Sequence, residues 1–210
     1  MKKLVAGLLL LSSMLFAVST NNILALSWEN TYCKFHPTKK ECQRRSVYSL
    51  ENFTIHGLWP KNRNKCHTKY KFKLSKMLKN TLVKYMPAAP YGLAKHEWFK
   101  HGTCLGADSE TYFITAIKFT QQFNETNFVN YLHSHVGQYI SLARLRFLFA
   151  GTFGGKNARK FQLICKKGYI AEIRIPLKGN PVENGLYELM NNAKPMLGVK
   201  QCQGGIITNP

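Results

Sequence analysis

Apolar residues recur at three- and four-residue spacing from Leu74 to Tyr85 (Leu74, Met77, Leu78, Leu82, Tyr85), which predicts an amphipathic helix. Tyr91 to Gly102 reads as a second helix, with Gly102 as its stop. Ser109 to Phe123 and Thr126 to His135 are further helices. Leu142, Leu145, Leu148 and Phe149 outline another, closed by the Gly151 to Gly155 turn. Asn52 to Leu58 is strand-like, rich in β-branched and aromatic residues and ended by Trp59-Pro60. Phe161 to Cys165 and Tyr169 to Leu177 read as two strands with Lys167-Gly168 at the turn between them. The last 25 or so residues carry no clear pattern. No repeat, low-complexity tract or linker interrupts the chain, so it reads as one α+β domain.

At the start, Lys2 and Lys3 precede an apolar run from Leu4 to Val18. A charged start, an apolar centre and a cleavage site between Ala17 and Leu26, after Ser19 or Ala25 for instance, describe a secretory signal peptide. The run is shorter than the ~20 residues of a membrane span, so stable membrane insertion is not expected. On this reading residues 1–25 are removed and residues 26–210 form the domain, secreted or periplasmic. Six cysteines follow: Cys33, Cys42, Cys66, Cys104, Cys165 and Cys202. An even number in an exported chain predicts three disulfides, with pairing left open by the count. None has CxxC spacing, which argues against a structural zinc site.

Charge narrows the partners. Thirty Lys and Arg face ten Asp and Glu, a formal net charge of +20. Such an excess favours a polyanion: nucleic acid, an acidic membrane surface or an acidic polysaccharide. The basic residues crowd between Lys61 and Lys84, a stretch without a single carboxylate. Tyr70 and Phe72 interleave with that charge; core packing and base stacking are both open to them. Thr152-Phe153-Gly154-Gly155-Lys156 lacks the spacing and the Ser or Thr of a phosphate loop, and reads as an ordinary turn.

Candidate chemistry lies in two segments, Phe53 to Pro60 (FTIHGLWP) and His96 to Cys104 (HEWFKHGTC). They gather His56, His96, His101, Glu97 and Lys100. On a helix at ~100° per residue, His96, Lys100, Glu97 and His101 share an arc of ~140°, with Trp98 and Phe99 opposite. Both aromatics are therefore expected to be buried and the four ionisable groups to face a cleft. The His-Glu-x-x-x-His spacing is one residue too long for a zinc-protease helix, and Lys100 would repel a dication, so no metal is expected. Two histidines with pKa values near 6.5 can hold opposite protonation states, as general acid and base require.

The two segments resemble the active-site motifs of the ribonuclease T2 family, and a weaker resemblance spans Trp28 to Cys202. It implies a central, mostly antiparallel sheet flanked by helices. The activity implied is metal- and cofactor-free cleavage of single-stranded RNA to a 2′,3′-cyclic phosphate, then a 3′-phosphate. In that scheme His101 takes the 2′-OH proton and His56 protonates the leaving 5′-oxygen. His96, Glu97 and Lys100 hold the phosphate, and Trp59 stacks on a base. DNA would bind without being cut, and the protein would act as a monomer. The resemblance also pairs Cys66 with Cys104 and Cys165 with Cys202, leaving Cys33 with Cys42. Lys61 stands where several relatives carry an acidic residue, so no base preference carries over. A reading from another class is a cationic RNA- or surface-binding exported protein that acts without cleavage. Asn52-Phe53-Thr54 and Asn124-Glu125-Thr126 are glycosylation sequons, though the short Lys-Lys leader has a bacterial character.

Overall fold

The structure is a computed structural model that describes residues 18–61, 63, 65–196 and 198–210. Residues 1–17 of the leader expected over residues 1–25 lie outside the described residues. The domain boundary at residue 26 is corrected. Strand β1 runs from Asn21 to Trp28, and its Leu24, Ala25 and Leu26 are fully buried. It lies between β2 (Phe53–Pro60) and β5 (Tyr169–Lys178), antiparallel to both. Removal of residues through Ala25 would delete most of a central strand. The apolar character of Ile23 to Leu26 suits a strand buried in a sheet as well as it suits a leader, which is why pattern alone misplaced it.

The sheet has the order β2-β1-β5-β6-β3, with β4 (Gln162–Lys166) also paired to β5. All ladders are antiparallel except a single parallel pairing of Tyr169 in β5 with Ile206 in β6 (Gly204–Ile206). β3 (Tyr139–Ser141) closes the far edge. The β4–β5 hairpin turns at Lys167-Gly168, both at positive φ. A non-glycine residue at φ 51 is uncommon, and a two-residue hairpin turn is where it is tolerated.

Helices cover the sheet. Glu29–Phe35 (α1), Lys40–Gln43 (α2) and Val47–Glu51 (α3) lie between β1 and β2 and were not visible in the pattern. The helix expected over 74–85 is α4, Lys76–Tyr85, begun by Ser75, whose side chain accepts a bond from the Leu78 amide. Leu78, Leu82 and Tyr85 face inward, whereas Met77 is 78% exposed. One residue ahead of Leu78, Met77 is turned by about 100° from the buried row. The Tyr91 to Gly102 expectation resolves into a 3-10 turn at Ala89–Tyr91, a left-handed Gly92, and α5, Leu93–Lys100.

Helix α6 (Ser109–Asn124) follows its expected bounds closely. Asp108 caps it, and Tyr112, Phe113, Ala116, Phe119 and Phe123 form its buried stripe against the sheet. α7 (Asn127–Ser134) and α8 (Leu142–Phe153) add Phe128, Phe149 and Phe153 to the same core. α9 (Leu186–Asn192) lies in the stretch that carried no pattern. Its terminal carbonyls at Met190 and Asn191 accept bonds from the nearly buried Lys160 ammonium, which offsets the partial negative charge of that helix end.

All three disulfides are present: Cys33–Cys42, Cys66–Cys104 and Cys165–Cys202. Cys66–Cys104 joins the loop after β2 to the turn after α5. Closing its 38-residue separation stabilises the fold by about 4 kcal/mol in the chain-entropy account. Asn124, the second sequon, is structural: it is buried, accepts from the Phe53 amide at 3.2 Å and donates to the Phe53 carbonyl at 2.8 Å. A glycan has no room there.

Candidate active site

A register shift positions His56. Ala25 of β1 pairs with Gly57 and Leu26 with Ile55, so His56 is the extra residue of a bulge in β2. Bulges re-aim side chains, and this one sends the His56 ring across β1 toward β5. Ala25 and Ser27, the β1 residues beneath its path, are small. On β5, Ser27 pairs with Glu172 and Ala25 with Arg174. His56 Nδ1 meets Glu172 Oε2 at 2.5 Å, and the other Glu172 oxygen accepts from Arg174 Nε.

The second group comes from the end of α5. Ala94, Glu97 and Trp98 form its buried face, and His101, the residue that ends the helix, is also buried. His96 and Lys100 are exposed. The four ionisable groups do not share one environment as the wheel suggested: Glu97 and His101 point inward and the two others line the opening. The expected burial of Phe99 is corrected too, since it is 49% exposed while Trp98 is fully buried. The reason is that the helix turns its Ala94–Glu97–Trp98 face to the protein, which places Phe99 about 100° beyond it.

Trp59 joins the two groups. Its indole N–H donates to Glu97 Oε2 at 2.7 Å, with His56 and His101 at ring-centroid distances of 5.1 and 5.3 Å. The Arg174 guanidinium lies 5.0 Å from the indole centroid. Glu97 Oε1 stands 3.9 Å from both His56 Nε2 and His96 Nε2. A closed circuit results: His56 to Glu172, Glu172 to Arg174, Arg174 over Trp59, Trp59 to Glu97, and Glu97 back to His56. Gly57 makes the circuit possible, because a Cβ there would lie 2.2 Å from Glu97 Oε2 and 2.3 Å from Trp59 Nε1. Around it, the Lys65 amide bonds the Lys100 carbonyl at 2.9 Å, beside the Cys66–Cys104 bridge, fixing the basic loop to the end of α5.

The surroundings set the two imidazoles apart. Burial works against a charged His56, but the Glu172 hydrogen bond and the Glu172 and Glu97 charges outweigh it, so its pKa is raised. Burial and then the neighbouring Lys100, His96 and His56 charges push His101 down to about 4. Burial raises Glu97, partly offset by its bond from Trp59 and by the nearby cations. Glu172 is held below the usual carboxylate range: burial opposes ionisation, and the His56 and Arg174 contacts overcome it. At neutral pH one ring is biased toward imidazolium and the other toward the free base.

Glu172 and Arg174 were missed in the sequence. Their signal is faint: one acid and one base two residues apart in an otherwise apolar strand, hence on one face of it. Among the described residues, the one close trio of potential metal donors is Glu29, Cys33 and Cys42, and its two cysteines are spent in a disulfide. A cavity of about 330 Å³ opens beside His56, lined by Ser27, Ile55, Tyr91 and His96 among others. A wider one of about 660 Å³ lies against Lys65, Phe99 and Lys100.

Fold and site together describe an α+β protein in which two imidazoles, two buried carboxylates and an indole lie together beside cationic side chains. The sequence profile of the ribonuclease T2 family matches residues 20–192. The chain belongs to that family, and is by membership an endoribonuclease. It is 25% identical to "Ribonuclease I" of Escherichia coli (strain K12), covering 76% of this chain and 75% of that protein. "Ribonuclease T2-A" of Mus musculus is 36% identical over 39% of this chain and 32% of its own length. Among solved structures, Japanese pear S3-RNase superposes with a TM-score of 0.64 at 21% identity, covering 89% of this chain and 98% of the other. Human RNase T2 gives 0.61 at 21% identity, covering 91% and 98%. These structural likenesses establish the fold.

Proposed function

We propose that the protein cleaves single-stranded RNA without a metal, through attack of the substrate's own 2′-OH on the adjacent phosphorus. His101, held neutral, accepts the 2′-OH proton as the O2′–P bond forms. His56, held as imidazolium by Glu172, gives its Nε2 proton to the 5′-oxygen as the P–O5′ bond breaks. The products are a 2′,3′-cyclic phosphate and a free 5′-hydroxyl; water can later open the ring to a 3′-phosphate. Lys100 and His96, at the mouth, stabilise the non-bridging oxygens as negative charge grows on them. DNA, lacking the 2′-OH, is expected to bind without being cut.

The observation that carries this reading is the opposite bias of His56 and His101, both packed against one indole, with a cavity opening beside His56 and a second against Lys100. Trp59 is engaged by Glu97, both imidazoles and Arg174, so we assign it the positioning of those groups in place of base stacking. The leader-like pattern of the first residues, the three disulfides and the cationic surface support export to an oxidising compartment.

The test is incubation of the protein with single-stranded RNA in excess EDTA, beside His56→Ala and His101→Ala. The expected result is cyclic-phosphate ends in EDTA and a loss of about 10²- to 10⁴-fold in kcat for each variant. Cleavage that vanishes with EDTA, or persists in both variants, contradicts the mechanism. Tight RNA binding with no cleavage at all would instead identify a binding protein.

A further inference from the structure

A separate cavity of about 340 Å³ opens at the end of the three strands that carry the site. Its place follows from the register. Ile23 of β1 pairs with Trp59 on one side and Pro176 on the other, and both Ile23 and Pro176 line the cavity. Arg174, the cation over Trp59, precedes Pro176 by two residues. Lys178 lies four residues beyond Arg174, or ~13 Å along an extended strand. The cavity therefore begins where the site ends and continues away from the scissile position.

Its lining combines an apolar wall, a cationic rim and the amides of Asn21, Asn22 and Asn192, with Met196 beside them. Ile23, Pro176, Leu177, Ala193 and Pro195 make an apolar wall. Lys61, Lys178 and Lys194, all exposed, bring three ammonium groups to its edge. Among the described residues, no carboxylate lines it. An apolar wall under a cationic rim matches a nucleotide, which presents a flat base and an anionic phosphate. The floor is set by the fold: α9 ends at Asn192, and its continuation through Lys194 closes over the strand ends, held at that point by Lys160 bonding to the Met190 and Asn191 carbonyls.

We propose that this cavity is a distal nucleotide subsite, which holds a nucleotide of the same RNA strand beyond the two that flank the cleaved bond. Lys178 and Lys194 pair with its phosphate, and the base lies against the apolar wall. The proposal rests on the reading of the protein as an RNA-cleaving enzyme. It predicts that long RNA is a better substrate than a dinucleotide, because only the longer strand reaches the cavity.

The experiment compares a dinucleoside monophosphate with an octanucleotide for the wild type and for Lys178→Gln/Lys194→Gln, over a range of salt. Lys76→Gln/Lys79→Gln, on the exposed side of α4, controls for general loss of charge. For the cavity variant, dinucleotide kcat/KM is expected to stay unchanged while octanucleotide kcat/KM falls about five- to tenfold, mostly through KM. Its log–log salt dependence on the octanucleotide should flatten by about 1.4, from about 0.7 for each of two lost contacts. Equal losses on both substrates, or an equal octanucleotide loss in the α4 control, overturn the subsite. A wild type that cleaves neither substrate overturns the underlying activity, a distinguishable result.

Discussion

Glu172 determines when His56 carries its proton. It is buried, bonded to His56 Nδ1 and to Arg174, and it outweighs the desolvation that would otherwise discharge the ring. Activity in the proposed mechanism needs His101 neutral and His56 charged. It is therefore lost as pH falls through about 4, the His101 value, and lost again as pH rises past the raised value of His56. Glu172→Gln removes the charge that raises His56. The alkaline limb of the kcat/KM profile should move to lower pH, while the acid limb stays in place. A profile whose two limbs move together would show that Glu172 acts on more than His56. Gly57 gives a steric counterpart: the Cβ of Gly57→Ala would occupy the Glu97–Trp59 hydrogen bond. A folded variant with kcat reduced by about tenfold or more is expected, at a stability cost of about 1–3 kcal/mol, read by steady-state rates and urea melts.

At the scale of elements, β1 matters most. It supplies no ionisable group to the site, yet it spaces β2 from β5 and its register creates the His56 bulge. A chain beginning at Val18 is expected to fold, and one beginning at Leu26 to fail, because Leu24 and Ala25 are fully buried within the sheet. Circular dichroism and refolding yield measure this directly; a stable, active chain beginning at Leu26 would refute the assignment of β1. Helix α5 shows the complementary lesson. Its sequence motif brings four chemical groups together, but its packing divides them, with Glu97 and His101 inside and His96 and Lys100 at the opening.

For the molecule as a whole, the +20 charge and the fold act on different terms. The charge is spread over the surface and draws in any polyanion, so binding of RNA and of DNA should both weaken steeply with salt. Cleavage should separate them, because only RNA carries the nucleophile. Fluorescence anisotropy with matched RNA and DNA strands, beside a product gel, checks both halves. DNA binding as salt-sensitive as RNA binding, with no DNA product, is the expected outcome; DNA strand scission would contradict the 2′-OH route.

The sequence by itself determined the α+β class, most helices from α4 to α8 and the β4–β5 hairpin, and it singled out five ionisable residues of the candidate site. Those features are local: a helix shows its period over a dozen residues, and HEWFKHGTC carries four of the five groups in one turn or two. What only tertiary structure decided is non-local. The strand Asn21–Trp28 is recognised by its partners, since an apolar run has the same composition in a leader and in a buried strand. Glu172 and Arg174 lie more than a hundred residues from His56 and reach it through sheet register, which no local pattern encodes. The difference between His56 and His101, identical in chemistry, arises from which one is given a buried carboxylate and which one is buried with no bonded partner for its Nδ1 among the described residues.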